Sequence, residues 1–306
     1  MKPHVAVIVV NYSQEDYTTI CLESLAKISA PNFDYHIFLV DNGSPQPYVV
    51  PKKLAILPLT LLRSNSNLGF TGGNNLGIYT AIEKYNSQYI FLLNNDATVN
   101  ANCLSLLIED LEQDAQAGLI SPLIYFSPGR AYHKNSYHAN QQNKVVWYAG
   151  GCIDWTTLAC FHRGVDEVNR GQFNHLFFTD FCTGCCVLIK REVLEKVGFL
   201  DKRFFVYYED TDLSLRAKAV GYIARFEPKA VAYHSNASSS GGSGSQVHIY
   251  YQERNKLLLA WLHGDITAKK AMILTMIYDV FSGQKLKMLA VWHFLAGQFG
   301  KQPLNV

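Results

Sequence analysis

Three apolar runs in the first hundred residues end in side chains able to bind or polarise a ligand: Asn11-Tyr12-Ser13, Asp41-Asn42-Gly43-Ser44 and Asn94-Asn95-Asp96. A lone carboxylate such as Asp41, at the rim of an open α/β sheet, is placed to accept hydrogen bonds from the base or ribose of a nucleotide. Asp96 with an amide oxygen beside it suits a hard divalent cation that also binds two phosphates, and such a cation neutralises a diphosphate leaving group. Singly each exit is an ordinary turn, since Asn, Asp, Gly and Ser favour turns; three together point to one shared rim. The densest cluster is Phe204-Phe205-Val206-Tyr207-Tyr208-Glu209-Asp210-Thr211-Asp212. Neighbouring carboxylates raise one another's proton affinity, which is how a general base is tuned, and the same residues favour a helix N-terminus. We expect both: a helix starting there, with one carboxylate facing a cleft. His234 precedes a Ser/Gly stretch at 235–245 and is a candidate ligand for metal or phosphate. Cys182-x-x-Cys185-Cys186 has redox or zinc spacing without a nearby second pair, so packing is expected. His133, His138, His162 and His175 have no metal spacing and are expected at the surface or in an acceptor groove.

The elements that must position these residues follow from periodicity. Val5–Val10, Tyr35–Val40 and Tyr89–Leu93 read as buried strands, and the helical patterns fall at 17–28, 74–85 and 104–111. Ser13-x-x-Asp16 matches a capping box for the first helix. Strand–helix alternation predicts a parallel sheet covered by helices on both faces. Residues 125–179 show no period and are expected to form a β-rich insertion over the sheet edge. Beyond them come a strand at 185–189, helices at 191–197 and 211–220, and two short strands, 222–226 and 230–233, around Pro228. The Ser/Gly stretch is expected to be a mobile lid, and two or three helices fill the last sixty residues.

Of 306 residues, 48% are apolar and 17% charged, a globular composition that excludes disorder, collagen-like repeats and coiled coil. The net charge of +2 gives no argument for nucleic acid. From Gln246 onward there are seven Lys/Arg against three Asp/Glu, which leaves 20 against 22 before it, so the basic excess lies in the tail. The seven cysteines are an odd number in a long chain and are expected to be free cytosolic thiols. The run at 5–10 is too short for a signal-peptide core. The turn Asn11-Tyr-Ser-Gln-Glu lacks the glycines of a dinucleotide site, and no P-loop pattern occurs.

Taken in order, five motifs resemble those of the family-2 inverting glycosyltransferases of the rhamnosyltransferase-like bacterial group. They are Val-Ile-Val-Val-Asn11-Tyr12, Leu-Val-Asp41-Asn42-Gly43-Ser44, Asn67-Leu-Gly69-Phe70-Thr-Gly72-Gly73-Asn74-Asn75, Leu-Leu-Asn94-Asn95-Asp96 and Tyr208-Glu209-Asp210-Thr-Asp212-Leu-Ser-Leu-Arg216, with Arg254-Asn255 further on. The resemblance implies an α/β fold of the GT-A type: a mostly parallel central sheet flanked by helices, with a C-terminal helical extension. It divides the chain into a nucleotide-sugar-binding half (1–125), an acceptor-binding half with the base (126–245) and C-terminal helices (246–306). It implies that Asn11, Tyr12, Asp41, Gly43, Asn67, Gly72, Gly73, Asn74 and Asn95 bind a nucleotide-diphosphate sugar. Asp96, Asn94 and His234 would hold Mg2+ or Mn2+, and Asp210 with Glu209 would be catalytic. Asn94 stands where the family's metal motif has a carboxylate, so one negative charge fewer faces the cation. The acceptor implied is a saccharide or lipid-linked glycan hydroxyl, attacked with inversion in a cytoplasmic reaction of polysaccharide synthesis. Two expectations remain side by side for the tail: contact with the inner face of the membrane, or packing on the protein or a second copy. The rival readings are a nucleotidyltransferase, whose Gly-rich basic first turn is absent, and an inactive nucleotide- or sugar-binding module.

Overall fold

The computed structural model describes residues 2–175, 177–236 and 244–304. Most of the expected lid therefore lies outside the described residues. The chain opens with β1 (His4–Asn11), α1 (Glu15–Leu25), β2 (Asp34–Asp41), β3 (Leu59–Arg63), α2 (Gly69–Tyr85) and β4 (Tyr89–Asn94). It continues through β5 (Ala97–Val99), α3 (Cys103–Gln113), β6 (Ala117–Phe126), β7 (Val146–Tyr148), β8 (Gly151–Asp154), β9 (Ala159–His162) and β10 (Cys186–Lys190). The remaining elements are α4 (Arg191–Val197), α5 (Glu209–Ala219), β11 (Ile223–His234), α6 (Gln246–His263), α7 (Ile266–Phe281) and α8 (Lys285–Leu295).

One sheet carries the site, in the order β3-β2-β1-β4-β10-β6-β11-β5, with β7 beside β6. β3, β2, β1 and β4 are parallel; β10 runs against both β4 and β6, and β11 is parallel to β6. β1 shows why the layers form. Val5, Val7 and Val9 pack on one side against Leu22 and Leu25 of α1 and Leu104 and Leu107 of α3. Ala6 and Ile8 pack on the other against Ile78 of α2 and Leu213 of α5. A strand covered on both faces has no solvent face and reads as continuous apolar sequence.

Several boundaries differ from the sequence reading. The helix expected from Asn74 starts at Gly69, because Gly73 and Gly77 let it lie directly on β1: a Cβ there would come within 2.8 Å of Val10 Cγ1 and 2.6 Å of Ile8 Cγ2 respectively. The capping box does not form. Ser13 takes φ 53, and the backbone N–H of Gln14 donates instead to Asn11 Oδ1 at 3.2 Å. The two short strands around Pro228 are one strand, β11, with an irregularity between Glu227 and Val231 that falls opposite Pro122 and Leu123 of β6. Both prolines sit at that bulge, where a missing N–H costs no ladder bond. β6 and β3 were not anticipated. The 126–179 segment lies at the rim, where β7 pairs with the C-terminal part of β6 while β10 pairs with its N-terminal part; β8 and β9 form a separate hairpin.

Candidate active site

The C-terminal ends of β1 and β4, the start of α2, the start of α5 and the end of β11 surround a cleft of about 700 Å³. Tyr12, Asn67, Asn74, Asn94, Asn95, Asp96, Glu209, Asp210 and His234 line it, so nine of the sequence candidates meet in one place. Asn11, Asp41, Gly43, Gly72 and Gly73 are not in that lining.

Those five build the wall behind it. Asp41 is 1% exposed; its Oδ1 accepts from Ser44 N and its Oδ2 from Tyr48 N, each at 3.1 Å, and Arg63 ion-pairs with it. Both carboxylate oxygens are thus occupied in fixing the 42–48 turn. Asn11 Oδ1 accepts from Thr18 Oγ1 at 2.9 Å, and Thr18 Oγ1 accepts from Asn95 Nδ2 at 3.0 Å, which ties the exits of β1 and β4 together through α1. Gly43 (φ 78) passes so close to Ser66 that a Cβ would lie 2.4 Å from its carbonyl carbon. Asn42, noted in the second strand exit but given no role of its own, lines the cleft and cross-links it: Nδ2 donates to Gly69 O at 3.0 Å and Oδ1 accepts from Leu68 N at 3.0 Å. Its position immediately after Asp41 was the signal available. Lys301 also lines the cleft and donates to Asn67 O at 3.4 Å, a contact across 234 residues that no local pattern encodes.

Asp96 and His234 come together because β5 pairs with β11 in the register Ala97 to His234. Asp96 Oδ1 and His234 Nε2 are 3.1 Å apart, both nearly buried, and Trp147 packs its ring edge-on against the imidazole at 4.4 Å. Burial opposes the charge on His234, but neighbouring Cys185 and Asp96 outweigh it and raise its proton affinity well above the usual imidazole value. Its Nδ1 is buried without a hydrogen-bond partner among the described residues. A carboxylate oxygen and an imidazole nitrogen are a donor set for Mn2+-type cations. Cis ligands of an octahedral ion bound at ~2.1 Å lie about 3 Å apart, close to the spacing found. The fit is partial: among the described residues no group of three or more His, Cys, Asp or Glu is gathered for a metal. His162 also meets Trp147 in an edge-on contact at 4.4 Å, and burial holds it near a pKa of about 4, so it stays neutral.

Of the three carboxylates at the start of α5, two face the cleft. Asp212 is turned away and locked by Arg216 and His263, each at 2.8 Å. Asp210 Oδ2 accepts from Gly184 N at 2.7 Å and Oδ1 from Thr211 N at 2.7 Å. Burial nevertheless pushes its carboxyl above the usual range. Glu209 is 5% exposed, its Oε2 has no hydrogen-bond partner among the described residues, and burial followed by the nearby Asp210 raises it well above the ordinary value. The segment before them is strained: Phe205, Tyr207 and Tyr208 have φ of 66, 69 and 71, each costing about 1–3 kcal/mol in a residue other than glycine. Phe205 O lies where a Cβ on Gly69 (φ 74) would be only 2.4 Å away. The seven cysteines are free, and Cys182, Cys185 and Cys186 are buried as packing residues.

This arrangement is the GT-A glycosyltransferase fold. The mannosyltransferase PcManGT from Pyrobaculum calidifontis, solved with GDP-Man and Mn2+, superposes with a TM-score of 0.57 at 16% identity, covering 97% of this chain and 75% of that one. Residues 6–198 match Glycosyl transferase family 2, and the chain belongs to that family. It is 22% identical over 258 residues to the low-salt glycan biosynthesis hexosyltransferase of Haloferax volcanii, across 84% of this chain and 76% of that protein. It is 24% identical over 272 residues to N-acetylglucosaminyl-diphospho-decaprenol L-rhamnosyltransferase of Mycobacterium tuberculosis, across 84% of each. The protein is therefore a glycosyltransferase, and the nucleotidyltransferase alternative falls away.

Proposed function

We propose that the protein transfers a hexosyl unit from a nucleotide-diphosphate sugar, of the dTDP-rhamnose or UDP-sugar type, to a hydroxyl of a saccharide or lipid-linked glycan, inverting the anomeric centre. One observation carries this reading: Asp210, fixed by two backbone amides, faces the same cleft as the Asp96–His234 pair. Oδ1 of Asp210 also accepts from Thr211 Oγ1 at 3.3 Å, whereas Oδ2 accepts only the Gly184 amide among the described residues and keeps a second lone pair, so the carboxylate is oriented and still able to take a proton. Asp210 removes the proton of the acceptor hydroxyl as that oxygen attacks the anomeric carbon from the face opposite the diphosphate. Asp96 and His234, with Asn94 beside them, would hold Mg2+ or Mn2+, whose charge offsets that developing on the diphosphate. Tyr12, Asn67 and Asn74 orient the donor, while Asp41 acts through the 42–48 turn that it braces. The Mn2+ of the mannosyltransferase and the diphospho-decaprenol acceptor named for the mycobacterial relative support the cation and the lipid-linked substrate class. A panel of nucleoside diphosphates with Mg2+ or Mn2+, read by thermal shift, should single out one base, because a ligand that binds the native state stabilises it by an amount that grows with the logarithm of its concentration over Kd. No shift with any nucleotide would overturn the reading.

The tail supplies a reason for meeting a lipid-linked acceptor. Among the described residues no helix is long and apolar enough to cross a membrane. Yet α7 exposes Ile273, Leu274, Ile277, Tyr278 and Phe281, the last at 85%, beside exposed Lys269 and Lys270. Apolar and basic side chains on one surface suit an anionic bilayer. The chain should float with vesicles containing anionic lipid and not with neutral ones, and Leu274→Glu with Phe281→Glu should abolish flotation. Failure to float, together with a dimer by light scattering, would assign this face to a second copy.

A further inference from the structure

Two polar side chains on α6, Arg254 and Asn255, are fully buried and do not themselves line the cleft. Asn255 Nδ2 faces three backbone carbonyls, of Phe204, Val206 and Tyr207, at 2.9, 2.8 and 2.9 Å. Arg254 Nη2 donates to the carbonyls of Arg203 and Phe204 at 2.9 and 3.1 Å, and Nη1 to that of Gly300 at 2.7 Å. The guanidinium also donates to Asn255 Oδ1 through Nε at 3.0 Å and Nη2 at 2.8 Å. No ion pair of the described residues includes Arg254; instead the rings of Tyr251 and Tyr250 lie 4.8 and 5.5 Å from it. Burying a cation without a counter-ion is costly, so its value lies in geometry rather than in net attraction.

That geometry is specific. Apart from that of Gly300, the carbonyls taken belong to 203–207, the segment in which Phe205 and Tyr207, with adjoining Tyr208, hold positive φ. The carbonyl of Phe205, which neither Arg254 nor Asn255 takes, accepts from Thr71 N of α2 at 3.2 Å. A run of bulky residues would leave this conformation if its carbonyls were free, since the left-handed region is disfavoured for side chains with a Cβ. α5 begins at Glu209, so the path of this segment sets where Glu209 and Asp210 emerge.

We propose that Arg254 and Asn255 act as a positioning clamp: from α6 they hold the strained 204–208 segment in place and thereby aim Asp210 at the reacting hydroxyl. Both residues lie outside the stretch matched to the family. The inference rests on Asp210 being the base. Asn255→Asp keeps the size and the acceptor for Arg254 but sets an oxygen against three carbonyl oxygens. Because small misplacements of a catalytic group cost up to about a hundredfold, kcat per folded molecule should fall about tenfold to a hundredfold, with donor Kd unchanged. Arg254→Lys, which cannot reach the same set of carbonyls, should show the same split and carries the test if the first variant does not fold. A purely structural role would lower Tm and the folded fraction while leaving kcat per folded molecule at the wild-type value; that result in a folded variant overturns the clamp. The two readings separate cleanly: an inert Asp210→Asn with a fully active Asn255→Asp removes the clamp alone, whereas an active Asp210→Asn removes the base.

Discussion

Asp210→Asn should lower transfer by at least about a hundredfold at saturating donor, the lower end of what general-base catalysis contributes, while donor affinity stays unchanged. The amide can still accept from one of the two backbone N–H groups now fixed on the carboxylate, but it cannot take the acceptor's proton. Near wild-type turnover in this variant would rule out the assignment; if Glu209→Gln were inert at the same time, the base would be Glu209. The pH dependence gives a second check. The base must be ionised to work, and burial raises the proton affinity of Asp210, so activity should fall with decreasing pH through a value above the usual carboxylate range. Stability should run the other way. The folded state holds protons on Asp210 and Glu209 more tightly than the unfolded chain does, so their contribution is full below the ordinary carboxylate pKa and is lost as pH rises through the raised values. Glu209→Gln removes the buried charge and should therefore raise Tm at neutral pH relative to the wild type.

Chelation should abolish transfer, and Asp96→Ala should weaken binding of the nucleoside diphosphate in the presence of cation. Only two strong ligands, Asp96 and His234, are presented by the described chain, whereas an octahedral cation needs six. The remainder must come from diphosphate oxygens and water, so cation without nucleotide should bind weakly in calorimetry and cation with nucleotide tightly. Full activity in excess chelator would refute the proposed role of the pair. Removing Asp96 also takes from buried His234 the partner of its Nε2, so Asp96→Asn, which keeps the hydrogen bond, separates lost ligation from lost packing.

The parts of this site that could be read from sequence were those whose chemistry is local. Asn94, Asn95 and Asp96 follow an uninterrupted apolar strand, and Glu209 and Asp210 open a helix, so residue type and position coincide. Asp41 shows the limit of that reasoning. A carboxylate at a strand exit looks the same whether it meets a ligand or its own turn, and only the positions of Arg63, Ser44 and Tyr48 show that this one braces the turn. Gly72 and Gly73 similarly read as room for phosphate, whereas Gly73 is what allows α2 to touch β1. β6 escaped notice because Pro122 interrupts its pattern, and the partner that tolerates it, the Pro228 bulge, lies a hundred residues away. β3 is short and partly exposed, with too little alternation to register. The contacts of Asn255 with 204–207 are invisible in the sequence because nothing in local spacing links an amide on one helix to a loop fifty residues earlier.

The grip of α6 on 203–207 also bears on how such enzymes are recombined. A graft that exchanges everything after the Ser/Gly stretch would replace Arg254 and Asn255 together with the exposed face of α7, and would confuse the effects of the two. Cutting instead after His263, at the Gly264 junction, keeps the carbonyl contacts with the native chain and makes α7 and α8 the exchangeable cassette. The residues that return to the cleft after α8, Lys301 and Gln302 among them, would have to be carried over with the recipient.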